Sequence, residues 1–155
     1  MSGLRARSLV AAALATLLVA AAPGVSYDLR ADEGRGHTIA SHVGKTDAFL
    51  RGRLTDEQEI ERASTFDSLE IAERAVAAVL RDHAGIVAAW AARQGDVGHQ
   101  RVLRLDGDAG FPAGRVLVRG ASAPVPASRV RVILCRTERD SHTWFVRTAY
   151  PELQE

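Results

Sequence analysis

The hydrophobic period of this sequence changes once, near residue 100. Before that point apolar residues recur at helical intervals. Leu69, Ala72, Val76, Val79 and Leu80 mark one amphipathic helix, and Ile86, Val87, Trp90 and Ala91 mark a second, ended by Gly95. Asp67, three residues before Glu70, has capping-box spacing for the first of them. Beyond residue 100 the runs 100–105, 114–119, 128–136 and 142–150 are rich in β-branched or aromatic residues, with Gly, Pro and Asp clusters between them. Val130, Val132 and Leu134 alternate with Arg129, Arg131 and Ile133, as in a half-buried strand, and 63–66 adds a short extended piece. Helices first and strands last predict an α+β fold, with N-terminal helices packed on one face of a C-terminal antiparallel β-sheet. Cys135 is the only cysteine, so no internal disulfide is possible and the core alone must hold the fold.

The first 26 residues stand outside this pattern. Arg5 and Arg7 precede an apolar run from Leu9 to Ala22, with small residues after it. That arrangement reads as a secretory signal peptide over 1–26, too short to span a bilayer comfortably. A secreted protein with no stable membrane association after cleavage is expected. Residues 27–36 are charged and glycine-punctuated and read as a linker, leaving one domain over 37–155. Without Arg5 and Arg7 the 20 basic residues fall to 18 against 19 acidic, so bulk charge names no nucleic-acid partner. The nine arginines between Arg101 and Arg147 leave two readings open: an anion-binding face, or the solvated side of a sheet. The sequence has no Cys/His cluster with zinc spacing.

Chemistry concentrates in 37–54, which holds two of the five histidines and the only lysine. His42, Lys45, Phe49 and Arg53 are separated by three, four and four residues, so a continuous helix would gather them on one face. Gly44 and the cap-like Thr46-Asp47 pair instead favour two short helices, with His42 ending the first. An imidazole that titrates near neutrality, beside a fixed cation, can work on a phosphodiester. On the last strand Thr148 and Tyr150 share one face, and Arg147 and Ala149 take the other. His37 is either a second acid/base group or a helix cap. Lys45 either neutralises a phosphate or is a solvated charge. Arg53 either holds a phosphate or pairs with an acid of the 56–61 run. His83, His99 and His142 read as surface or core residues, Trp90 and Trp144 as core, and Cys135 as strand packing.

Five motifs in order carry a resemblance. They are the run from His37 through His42-Val43-Gly44-Lys45-Thr46, then Arg53-Leu54, Ala63-Ser64-Thr65-Phe66, the run from Gly114 to Gly120, and Thr148-Ala149-Tyr150-Pro151. Together they resemble the bacterial RNase A-like domain found at the C-terminal end of contact-dependent growth-inhibition toxins, over roughly Gly36 to Pro151. The resemblance implies an RNase A-like fold without disulfides and a metal-independent ribonuclease that needs no cofactor. It places the catalytic set on His42, Arg53, Thr148 and Tyr150; His37 and Lys45, read from the residues alone, stand beside them as candidates for substrate binding. The implied reaction on single-stranded RNA is attack of a ribose 2′-hydroxyl on the adjacent phosphorus, giving a 2′,3′-cyclic phosphate. His42 would be the base and Arg53 would donate to the phosphorane. Thr148 would bond a phosphate oxygen or a base edge. Tyr150 would stack a base, donate to the phosphate or protonate the leaving oxygen. The expected partner is RNA, with self-protection left either to export alone or to a cognate immunity protein. The chain itself is expected to be a monomer, in the role of a toxin or of a scavenging extracellular ribonuclease. The rivals are a secreted RNA- or protein-binding module that kept the fold and lost the chemistry, and a phosphodiesterase of small nucleotides.

Overall fold

The computed structural model describes residues 26–93, 101–137 and 143–154. The leader up to residue 25, the expected helix end at Gly95, and His99 and His142 lie outside the described residues. Four α-helices are present among these: α1 (Thr38–His42), α2 (Asp47–Asp56), α3 (Leu69–Asp82) and α4 (Ala84–Ala92). The strands are β1 (Arg62–Phe66), β2 (Val102–Asp108), β3 (Gly114–Val118), β4 (Val125–Ala127), β5 (Arg129–Arg136) and β6 (Trp144–Glu152).

The α+β class is as expected, but the strands form two antiparallel sheets, β1-β3-β4 and β2-β5-β6, where the sequence suggested one. Alternation identifies strands without naming their partners, and β1 reaches across the helical half of the chain to pair with β3. Each sheet carries its own helix. The stripe Ala72, Ala75, Val76 and Val79 of α3 packs with Leu105, Val130, Val132 and Leu134 in the main core. Leu50 and Leu54 of α2 close a smaller core with Ala63 and Leu117. Ser68, not Asp67, caps α3, its hydroxyl accepting from the Ile71 N–H at 3.2 Å, while Asp67 accepts from Arg115 at 2.9 Å. The turn-like Asp106-Gly107-Asp108 continues β2, because Asp106 pairs with Arg131 across the sheet and a bare Gly107 lets Val79 of α3 approach. Among the described residues no single helix is long and apolar enough to cross a membrane.

Residues 27–36 are folded, which corrects the linker reading. Leu29 is 2 % exposed in the main core, and the Tyr27 ring stacks on Trp144. The Asp32 carboxylate accepts from the Tyr27 hydroxyl at 2.7 Å and from the Val146 N–H at 2.8 Å. The His37 N–H donates to the Arg147 carbonyl, and the Thr38 hydroxyl accepts from the Ala149 N–H. The reason is that β6 is an edge strand, whose outward N–H and C=O groups need partners. Charged side chains gave this segment a linker's composition, yet one of them, Asp32, serves as a hydrogen-bond acceptor for the edge.

β6 carries one irregularity, and it decides which way the end of the strand faces. Ile133 pairs with Thr148 but Leu134 with Val146, so Arg147 is an extra residue, a β-bulge. Val146 and Ala149, three positions apart, both enter the main core. In a regular strand, residues on one face are an even number apart. The bulge reverses that parity, so Ala149 faces the core in place of Thr148 and Tyr150.

Candidate active site

The first catalytic candidate sits where α1 stops. Gly44 takes a positive φ of 63°, which ends the helix, and its N–H donates to the Phe66 carbonyl of β1. The Thr65 hydroxyl accepts from the Lys45 N–H, and the Thr46 hydroxyl caps α2 by accepting from Phe49. The break at Gly44 and the cap at Thr46 are therefore as the sequence predicts, and β1 fixes the turn between the two helices.

His42 is 8 % exposed. Its Nδ1 lies 3.3 Å from the Ser64 carbonyl oxygen. A carbonyl only accepts, so Nδ1 carries the hydrogen and Nε2 keeps its lone pair. Burial pushes the His42 pKa down to about 4; the Ser64 carbonyl opposes the fall, Arg53 and His37 add to it, and Glu57 opposes it. At neutral pH the imidazole is uncharged, with one nitrogen fixed and the other available as an acceptor.

A cleft of about 230 Å³ opens beside it. His42, Arg53 and Tyr150 line this cleft together with Arg62, Ser64 and Glu152, against an apolar wall of Ile60, Val116 and Pro151. The Tyr150 ring stands 5.2 Å from the His42 ring, tilted by 33°. Tyr150 stands opposite Arg131, its direct partner on β5. Arg131 is held in turn by Asp106 at 2.7 Å and Glu152 at 3.1 Å. Arg53 makes the ion pair that the 56–61 acids allowed, with both nitrogens of one edge 2.7 Å from Glu57. It lines the cleft nonetheless.

The remaining candidates are placed less centrally. Thr148 is 6 % exposed, and its hydroxyl has no hydrogen-bond partner among the described residues. The His37 ring lies 6.2 Å from that of His42, and desolvation, then Arg147 and Arg53, lower its pKa. It occupies the N-cap position of α1 but makes no side-chain capping bond. Lys45 is not a lining residue of the cleft; its ammonium lies over the Phe49 ring at 5.3 Å. The spacing that would have aligned it with His42 assumed a continuous helix, and the Gly44 break removes that alignment.

Several strand arginines serve the fold instead of a free basic face. Arg115 bonds Asp47, Asp67 and the Lys45 carbonyl, and Arg136, 1 % exposed, donates to backbone carbonyls at the end of α4. Sequence reasoning had not singled out Arg62, Glu57 or Arg131. Arg62 was within reach, since it stands two residues before Ser64 on β1, whereas Arg131 depends on strand register. Among the described residues no group of three His, Cys, Asp or Glu side chains could hold a metal ion.

An α+β protein with no disulfide among its described residues, whose buried imidazole faces a guanidinium and a phenol across one cleft, is the class that these observations define. A family model described as the bacterial CdiA-CT RNAse A domain matches residues 36–151, and the chain belongs to that family of ribonuclease toxin domains. A chain in the crystal structure of the CdiA-CT/CdiI complex from Y. kristensenii 33638 is similar in fold, with a TM-score of 0.62 and 26% sequence identity. That match covers 76% of this chain and 100% of the other. No curated protein matches. The resemblance drawn from the five motifs and the α+β class are both borne out.

Proposed function

We propose that this protein is a secreted, metal-independent ribonuclease toxin that cleaves single-stranded RNA through the 2′-hydroxyl. The carrying observation is His42, neutral and tied by Nδ1 to Ser64, in one cleft with Arg53 and Tyr150. Its Nε2 takes the proton of a ribose 2′-hydroxyl, whose oxygen attacks the adjacent phosphorus. A 2′,3′-cyclic phosphate forms as the bond from phosphorus to the 5′-oxygen breaks. Arg53 donates to the non-bridging oxygens as they gather charge. The Tyr150 hydroxyl gives its proton to the departing 5′-oxygen. The neighbouring imidazolium of His42 then restores that proton. The phosphodiester's own negative charge works against burial and lifts His42 toward a base effective at neutral pH.

Thr148 fits as a substrate donor because its hydroxyl has no partner among the described residues to give up. His37 fits at the rim of the cleft, and Lys45 with the exposed Phe49 fits a more distant stretch of the strand, one contacting phosphate and the other a base. A secretory leader would export the chain, and a cognate immunity protein of the CdiI kind would protect its producer. The experiment is turnover of a fluorogenic RNA in EDTA by protein lacking residues 1–26. Wild type cleaves, and His42→Ala loses about 10²–10⁴ in rate. A folded wild type that binds RNA without cleaving it would leave the binding module, and preference for cyclic dinucleotides would leave the phosphodiesterase.

A further inference from the structure

The cation beside His42 is already engaged. Arg53 Nε and Nη2 each lie 2.7 Å from one carboxylate oxygen of Glu57. A guanidinium carries five N–H donors, so this grip on the Nε–Nη2 edge uses two and leaves a second two-donor fork on the Nη1–Nη2 edge. Glu57 is itself fixed. As the C-cap residue of α2 it donates its N–H to the Arg53 carbonyl at 2.8 Å. Arg119, just past the end of β3, donates to the Glu57 carbonyl at 3.0 Å and to that of Ile60 at 2.7 Å. The carboxylate that grips Arg53 therefore stands on backbone held from the neighbouring sheet.

We propose that Glu57 is a positioning residue: it grips Arg53 by one edge and so turns the other edge toward the phosphate bound in the cleft. This rests on the ribonuclease reading of that cleft. Glu57 does not line the cleft and acts through Arg53. A lysine at position 53 could not replace it, since an ammonium is a point charge without a second fork. The charge of Glu57 also reaches His42. Around that imidazole stand His37 from the N-cap of α1, Arg53 and Glu57 from α2 and its cap, Arg62 from β1, and Tyr150 and Glu152 from β6. Within this ring of groups, Arg53 and His37 favour the neutral imidazole and Glu57 favours the charged one.

The test is Glu57→Gln in the full chain, which keeps the size and one acceptor but loses the charge and turns an amide N–H₂ toward Arg53. Three quantities are read: affinity for inorganic phosphate, the NMR titration midpoint of His42, and kcat and KM on RNA. Phosphate affinity is expected to fall about tenfold, equivalent to about 1.4 kcal/mol. The His42 midpoint moves below that of wild type, kcat falls more than KM rises, and Glu57→Asp recovers part of each. Tighter phosphate binding or faster cleavage by Glu57→Gln would make Glu57 a competitor for Arg53 and overturn the proposal. So would an unchanged phosphate affinity and His42 midpoint. Neither of these two readings needs RNA turnover. If both shift while wild type cleaves no RNA, the ribonuclease reading fails and the grip on Arg53 stands.

Discussion

His42 and Tyr150 come from opposite ends of the domain, yet their rings meet at 5.2 Å. They meet because Arg147 is inserted as a bulge just before, which turns Tyr150 away from the main core and into the cleft. Gly36 packs against that bulge. A Cβ there would stand 2.4 Å from the Val146 carbonyl oxygen and 3.1 Å from that of Arg147. Gly36→Ala is therefore expected to cost about 1–3 kcal/mol of stability and to lower RNA cleavage as β6 shifts. Urea unfolding with parallel kinetics checks this; an equally stable and equally active variant would show that the bulge does not set the site.

Thr148 separates stability from function. Its buried hydroxyl has no partner among the described residues, so the isosteric Thr148→Val removes a desolvated polar group and should leave stability unchanged or raise it by about 1 kcal/mol. If the hydroxyl bonds the substrate, the same variant loses about tenfold or more in kcat/KM, a charge-assisted bond being worth that much. Thermal unfolding and kinetics on one preparation read both effects. A marked drop in stability would mean that the hydroxyl has a structural partner.

Burial of His42 gives the pH dependence a definite sign. Its pKa is about 4 in the folded chain, while the unfolded chain protonates near the ordinary 6.5. Above pH 6.5 neither state binds the proton and the residue contributes no slope. As pH falls from 6.5 toward 4 the unfolded state alone gains protons, so stability is lost at up to about 1.4 kcal/mol per pH unit, about 3 kcal/mol in all. Below 4 both states are charged and the loss levels off. The lowered pKa of His37 acts in the same direction. His42→Gln should flatten this limb in denaturant titrations at pH 4 to 7. For the free enzyme, kcat/KM should stay level down to about pH 5; a limb at 6.5 would contradict a desolvated His42.

The segment 27–36 is expected to behave as part of the domain. Asp32→Ala leaves the buried Val146 N–H without its acceptor and frees the Tyr27 hydroxyl, at a cost of about 1–3 kcal/mol for the N–H alone. A midpoint of chemical denaturation equal to that of wild type would return the segment to linker status.

What the sequence made legible was local. The break at Gly44, the cap at Thr46, the apolar stripe of α3 and the alternation of β5 each depend on residues a few positions apart, and each is present as expected. An ion pair of Arg53 with the 56–61 acids was legible for the same reason, and Glu57, four residues on, is the acid that makes it. The rest depends on pairing between distant segments. The bulge at Arg147, the β1–β3 pairing, the edge of β6 covered by 27–36, and Arg131 standing opposite Tyr150 all come from register, which no spacing along the chain encodes.

The most direct measurement of the central claim is product analysis on a DNA oligonucleotide carrying one ribonucleotide, incubated in EDTA with wild type and with His42→Ala. Cleavage only on the 3′ side of the ribose, leaving a 2′,3′-cyclic phosphate and a 5′-hydroxyl, and almost none with His42→Ala, is the predicted result. Equal cleavage of an all-deoxy strand, a 5′-phosphate product, or an undiminished rate in His42→Ala would contradict it.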